Sequence, residues 1–319
     1  MTKQLYLLSI LLLAPSSWAT PVQPAATPQT QTPNIDPNPE FRPSSLKPRS
    51  TVWPALASYV LPGFDQYWEG QTMYAISYSA VGIGGLSLIQ SNRKHEGKGS
   101  DFIKNSQDYP KAGYQVLGAK IYDTAGSLSA YHSFKTAVRT RKSEFAFIET
   151  EESVQDLLMA PIRFSEMTKP TVFIPLGLLA GLSLLGPKGK KGEKGNRASG
   201  IDRGVWTSGI SYGAGVGEEA LFRGWMMPNL HASTQSALGS NAIQAVIFGA
   251  AHYAEGQPLP IAQALMGGYL GWRTQANGYS LRESIFIHFW WDIIALSRAY
   301  FYVEDVQAAY LMPLFTIPL

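Results

Sequence analysis

The chain contains no cysteine. Thiol nucleophiles, thiolate-ligated zinc and disulfide frameworks are therefore excluded. Charge is also scarce: Asp, Glu, Lys and Arg make up 15% of the 319 residues, against roughly 25% in soluble domains. Neither sign dominates, since the formal net charge is only +3. The basic residues fall in loops between apolar segments, so no nucleic-acid partner is expected. What the chain has instead is apolar and aromatic surface. Hydrophobic residues reach 45%, with 8 Trp, 16 Tyr and 14 Phe, enough to furnish aromatic belts at both bilayer interfaces.

The N-terminus reads as an export signal over residues 1–19. Lys3 precedes the apolar run Leu5 to Ala14, and Ser17-Trp18-Ala19 offers small residues at a cleavage site. The run is too short to span a bilayer, which takes ~20 residues. Residues 20–50 are rich in Pro, Thr, Gln and Ser with little to bury, the composition of a disordered linker.

Apolar segments then recur. The expected spans are Met73 to Gln90, Gly113 to Phe134 (interrupted by Lys120 and Asp123), Thr171 to Leu185, Val205 to Met227, Ala237 to Tyr253, Leu259 to Trp272 and Ser284 to Tyr302. The fold expected is all-α, a polytopic transmembrane bundle of about seven spans at ~20 residues each. Residues 51–168 form an N-terminal membrane-anchoring helical module. There, Pro62-Gly63 makes a turn at the membrane entry and Tyr67 and Trp68 sit at interface depth. Residues 169–319 form the domain that carries chemistry.

Ionisable groups inside apolar helices cost ~2.5–3.5 kcal/mol each on insertion scales, so their positions are informative. Glu218-Glu219-Ala-Leu-Phe-Arg223 places Glu219 and Arg223 one turn apart on one helix face, where they neutralise each other. Glu218 points to a different neighbour. Gly209, Gly213 and Gly217 recur at every fourth position, a stripe that lets another helix come close. Phe248-Gly-Ala-Ala-His252 ends a second apolar run, and His288-Phe-Trp-Trp-Asp292 sets a His and an Asp one turn apart in a third. By contrast, His95, His132 and His231 are expected to be solvated or interfacial.

Each pattern alone has a bland explanation as a satisfied polar group in the bilayer. Together, EExxxR at Glu218, Glu219 and Arg223, FxxxH at Phe248 and His252, and HxxxN/D at His288 and Asp292 resemble the CPBP family. These are the CAAX-type and bacteriocin-processing (Abi) intramembrane proteases. The linking text from Ala264 to Trp272 and from Asn277 to Ile285 is similar too, so the resemblance runs from Thr171 to Tyr302. It implies an endopeptidase, a glutamate-dependent hydrolase acting on a membrane-associated protein or peptide. Glu218 would activate water with His252, His288 and Asp292 would stabilise the oxyanion, and Glu219 and Arg223 would set the geometry.

One position departs from the prenyl-protein proteases of the family, which carry Asn where this chain has Asp292. An ionised carboxylate only accepts hydrogen bonds, whereas an amide also donates. Asp292 must therefore be protonated, hold His288, or ligate a metal. A metal-free site is the leading expectation, and zinc held by Glu218, His252, His288 and Asp292 is the other. The location expected is the inner membrane of a bacterium, with the lipid bilayer as partner. A scaffold or immunity-type binding protein using the same residues is the non-enzymatic alternative. A proton-coupled transporter is disfavoured because no inverted repeat is found.

Overall fold

The computed structural model describes residues 48–92, 109–185, 199–253 and 259–298, and among these there is no β-strand. The signal and nearly all of the linker lie outside the described residues, as do His95 and the chain after Arg298. The helices are α1 (Trp53–Val60), α2 (Phe64–Trp68), α3 (Thr72–Ser91), α4 (Tyr109–Val138) and α5 (Val154–Met159). Two 3₁₀ turns follow at Ala160–Ile162 and Phe164–Thr168, then α6 (Pro170–Leu185). Next comes a continuous helical rod made of α7 (Gly200–Gly213), a π-helical segment (Ala214–Met226) and α8 (Met227–Thr234). The last helices are α9 (Ala237–Ala251), α10 (Ile261–Ala276) and α11 (Arg282–Ser297). Each of the seven apolar segments singled out in the sequence contains a helix, with His252, Tyr253, Leu259 and Pro260 falling just outside one, and α1, α2 and α5 are additional.

Among the described residues one helix, α3, is long and apolar enough to cross a membrane; α6 and α9 are shorter apolar helices. The inward stripe of α3 is Ala75, Tyr78, Gly82 and Gly85. Its other faces turn large apolar side chains outward, with Met73 at 76% and Ile83 at 62% exposure. Gly85 and Gly118 meet where α3 crosses α4: a Cβ at either would lie 2.6–2.7 Å from the other's carbonyl oxygen. Glycine at both positions is what lets the backbones touch.

The turn expected at Pro62-Gly63 is present, and Gly63 has φ +94. Its N–H donates to Ser129 Oγ at 2.9 Å. An added Cβ would lie 2.8 Å from Ser79 Oγ and collide with the Ala75 carbonyl oxygen. Gly70 also has positive φ, at +73, but has nothing within 4 Å of such a Cβ. Gly63→Ala should therefore destabilise by about 2–4 kcal/mol, from left-handed strain plus overpacking, whereas Gly70→Ala should cost only the strain. Thermal unfolding of both variants checks this; equal losses would mean that the packing at Gly63 is unimportant. Tyr67 and Trp68 are strongly exposed. Just ahead of α1, Arg49 pairs with Asp65 at 2.6 Å and Glu69 at 3.3 Å.

Apolar clusters hold the bundle. Tyr78, Leu128, Tyr131, Leu157, Val216, Ala220, Leu281 and Ile285 join α3, α4, α5, the π segment and α11. Val172, Leu176, Leu270, Phe286 and Ile287 join α6, α10 and α11. The glycine stripe predicted on the rod is used as expected. Cβ atoms at Gly209, Gly213 and Gly217 would lie 2.6, 2.5 and 2.9 Å from Leu117, Lys120 and Thr124. These three residues are all on α4, so the stripe seats α4 against the rod.

Two of the discounted histidines are packed rather than solvated. His132 lies edge-on to Tyr74 at 4.5 Å and bonds Tyr78 Oη at 3.1 Å. His231 stacks on Phe147 at 4.0 Å and bonds Tyr279 Oη at 2.5 Å. Both are aromatic neighbours found only on folding, which the surrounding sequence does not signal.

Candidate active site

Glu218, Glu219 and Arg223 sit on the rod where the sequence pattern predicts a helix, but the segment is π rather than α. Its hydrogen bonds skip one residue further, and such segments are frequent at functional sites. Every residue from Ala214 to Met226 is buried. The pairing inferred from the spacing is present: Arg223 Nη1 donates to Glu219 Oε1 at 2.8 Å, with both side chains fully buried. Arg223 Nη2 also donates to the Gly267 carbonyl at 3.0 Å, and its guanidinium lies 4.2 Å from the Phe248 ring centre. Phe248 of the FxxxH pattern is thus a cation–π floor beneath the arginine.

His252 caps the C-terminus of α9, where its Nδ1 meets the Phe248 carbonyl at 2.7 Å. A carbonyl oxygen only accepts, so Nδ1 carries the proton and Nε2 is the free nitrogen. His288 is held in the same way by a different partner, with Nδ1 2.8 Å from Glu219 Oε1. Paired with Arg223, Glu219 is the acceptor there. It is therefore the hinge of the site, bound to the arginine on one side and fixing the second imidazole on the other.

The two free nitrogens converge. His252 Nε2 lies 3.7 Å and His288 Nε2 3.9 Å from Glu218 Oε2. His288 Nε2 is also 3.7 Å from Asp292 Oδ2. Glu218 Oε2 is buried and makes no hydrogen bond among the described residues. The other carboxylate oxygen, Oε1, accepts from Lys120 Nζ on α4 at 2.6 Å. The four sequence-predicted residues thus meet around one point, where three separate helices come together. Burial is graded: the His288 side chain is 7% exposed and Glu218 12%, while Asp292 is 25% and His252 34%. The site opens past His252 and Asp292. Among the described residues no group of three or more His, Asp or Glu is arranged to hold a metal ion.

Reading the spacing missed three supporting residues. Lys120 was visible only as an interruption of an apolar helix. Glu152 accepts the Leu281 N–H at 2.7 Å and the Ser280 hydroxyl at 2.6 Å, capping the start of α11. Glu283, in the first turn of α11, accepts from Arg273 at 2.6 Å, Thr171 at 2.8 Å and Asn277 at 3.1 Å. Together these bonds fix the helix end that leads to His288.

No curated protein and no solved structure matches the chain. Residues 204–294, which carry Glu218, His252, His288 and Asp292, match the family model described as type II CAAX prenyl endopeptidase Rce1-like. The match falls on the segment that holds this site and agrees with the CAAX-type protease family that the three motifs resemble.

Proposed function

We propose that this protein is a multi-pass intramembrane endopeptidase that hydrolyses a peptide bond in a membrane-associated protein or peptide. One observation carries the reading. Glu218 Oε2 stands 3.7 and 3.9 Å from two imidazole nitrogens whose opposite nitrogens are already committed. Those gaps are too long for direct hydrogen bonds and suit a bridging water.

Glu218 takes a proton from that water as general base, while His252 holds it at the open side of the site. The oxygen attacks the carbonyl carbon and the carbonyl electrons move onto its oxygen. His288, an imidazolium with a proton on each nitrogen, Nδ1–H toward Glu219 and Nε2 3.7 Å from Asp292, donates its Nε2–H to that oxygen and stabilises its charge. The oxyanion electrons then return to re-form the carbonyl, the C–N bond breaks, and the proton held by Glu218 passes to the leaving amine. Asp292 in this scheme orients and balances His288, a role for which an acceptor-only carboxylate is suited. The outward apolar faces of α3 and α6 contact lipid, and the inner membrane of a bacterium is the location proposed.

The reaction is proposed to be metal-free. A cation is already in place, because the Lys120 ammonium binds one oxygen of Glu218, and a divalent ion beside it would be repelled. The test is cleavage of a quenched fluorogenic transmembrane peptide by purified protein in proteoliposomes. The wild type should cleave at an unchanged rate after EDTA and 1,10-phenanthroline. Loss of activity on chelation, restored by zinc, would overturn the metal-free mechanism. No cleavage of any peptide in a transmembrane library would overturn the peptidase reading.

A further inference from the structure

Lys120 stands upstream of the family segment, on a helix that the motifs do not reach, yet its ammonium makes the shortest contact to Glu218. The two residues are 98 positions apart in sequence. We propose that Lys120 is a positioning residue of the active site, supplied by α4. By binding Oε1, it dictates that Oε2 alone faces the two imidazoles. The proposal rests on Glu218 as the general base.

The lysine is itself held at both ends. Its stem runs over Gly213, where a Cβ would lie 2.5 Å from Lys120 Cγ. Thr124, one turn further along α4, donates to the Gly213 carbonyl at 3.1 Å and locks the helices in that register. At the head, Nζ sits 3.5 Å from Asp123 Oδ2, and Asp123 Oδ1 accepts the Tyr59 hydroxyl of α1 at 2.7 Å. A relay of side chains thus runs from Tyr59 through Asp123 and Lys120 to Glu218.

Neutralising the lysine does not require Glu218, because Asp123 is already beside it. The tighter contact goes to the carboxylate that faces the histidines. Without the ammonium, either oxygen of Glu218 could turn toward the Nε2–H of His288 and take a direct hydrogen bond from it. The base would then lose the geometry that leaves room for a water. Substrate contacts would not change, so the effect falls on turnover rather than on binding.

The test uses full-length protein in proteoliposomes with the quenched transmembrane peptide. Lys120→Met should lower kcat about 10²-fold, the cost of a misplaced catalytic group, with KM unchanged. Lys120→Arg, which keeps the cation, should recover most of the loss. Adding Lys120→Met to Glu218→Gln should cost nothing further, because the lysine acts only through that carboxylate. Gly213→Ala, which displaces the stem but keeps the charge, should show the same split between kcat and KM and decides the matter if Lys120→Met does not fold. Wild-type kcat in Lys120→Met, with Glu218→Gln inactive, would overturn the role of Lys120 alone. Full activity in Glu218→Gln would instead overturn the assignment of the base. A rise in KM at constant kcat would place Lys120 in substrate binding and also contradict the proposal.

Discussion

Glu218→Gln should abolish peptide cleavage while leaving the fold intact. The amide is the same shape as the carboxylate, and its oxygen still accepts from Lys120, which lies 2.6 Å from Oε1. What it loses is the ability to take a proton. General-base removal costs roughly 10²–10⁴-fold, and here Oε2 is the atom aimed at both imidazoles, so the upper end of that range is expected. The measurement is kcat for the fluorogenic peptide in proteoliposomes, with thermal unfolding of the same preparation as control. Turnover within a few-fold of wild type would refute the assignment of Glu218. A non-catalytic scaffold built on the same residues predicts no cleavage by either protein.

The second large effect is on stability. Arg223 is fully buried and its charge is met by Glu219 at 2.8 Å. Arg223→Met leaves the Glu219 carboxylate buried beside His288 without its cation. Breaking a buried pair from one side costs about 3–5 kcal/mol, and the Gly267 carbonyl also loses a donor. For a chain of this size the apparent Tm should fall by ~10 °C. The double variant Glu219→Gln, Arg223→Met removes the orphaned charge and should regain a substantial part of that loss. It should not regain activity, because the ionic contact that orients His288 Nδ1 is gone. An apparent Tm for Arg223→Met equal to that of the wild type would show that the pair contributes nothing.

Much of the site could be read from residue order alone, for a physical reason. Charged groups are expensive in apolar helices, so Glu218, Glu219, Arg223, His288 and Asp292 stood out against their neighbours. The one-turn spacing of Glu219 and Arg223 forecast their bond directly, and the Gly209, Gly213, Gly217 stripe forecast the close approach of a helix. What spacing cannot carry is the identity of a partner far along the chain. Lys120 looked like a blemish in a weak helix because its partner lies 98 residues away. The bond between Glu219 and His288 spans 69 residues and was invisible for the same reason.

Other features escaped because local preference does not determine them. The short helices α1, α2 and α5 are each 5 to 8 residues long and make too few turns to show a period. The π geometry of Ala214–Met226 differs from an α-helix by one residue in its hydrogen bonding, a difference that composition does not encode. Within it, Gly215 lies against the α11 backbone at Phe289, where a Cβ would sit 3.0 Å away.

The native absence of cysteine offers a clean probe of the whole arrangement. Paired cysteines placed at 218 and 252, and at 218 and 288, would be the only thiols in the chain. In membranes, dibromobimane should bridge both pairs and fluoresce, and a water-soluble sulfonated thiol reagent should block the reaction at 252. That result is what a single aqueous pocket shared by three helices requires. Ready labelling of each lone cysteine, with no bridging in either pair, would mean that these side chains face apart, and the peptidase chemistry built on their meeting would not stand.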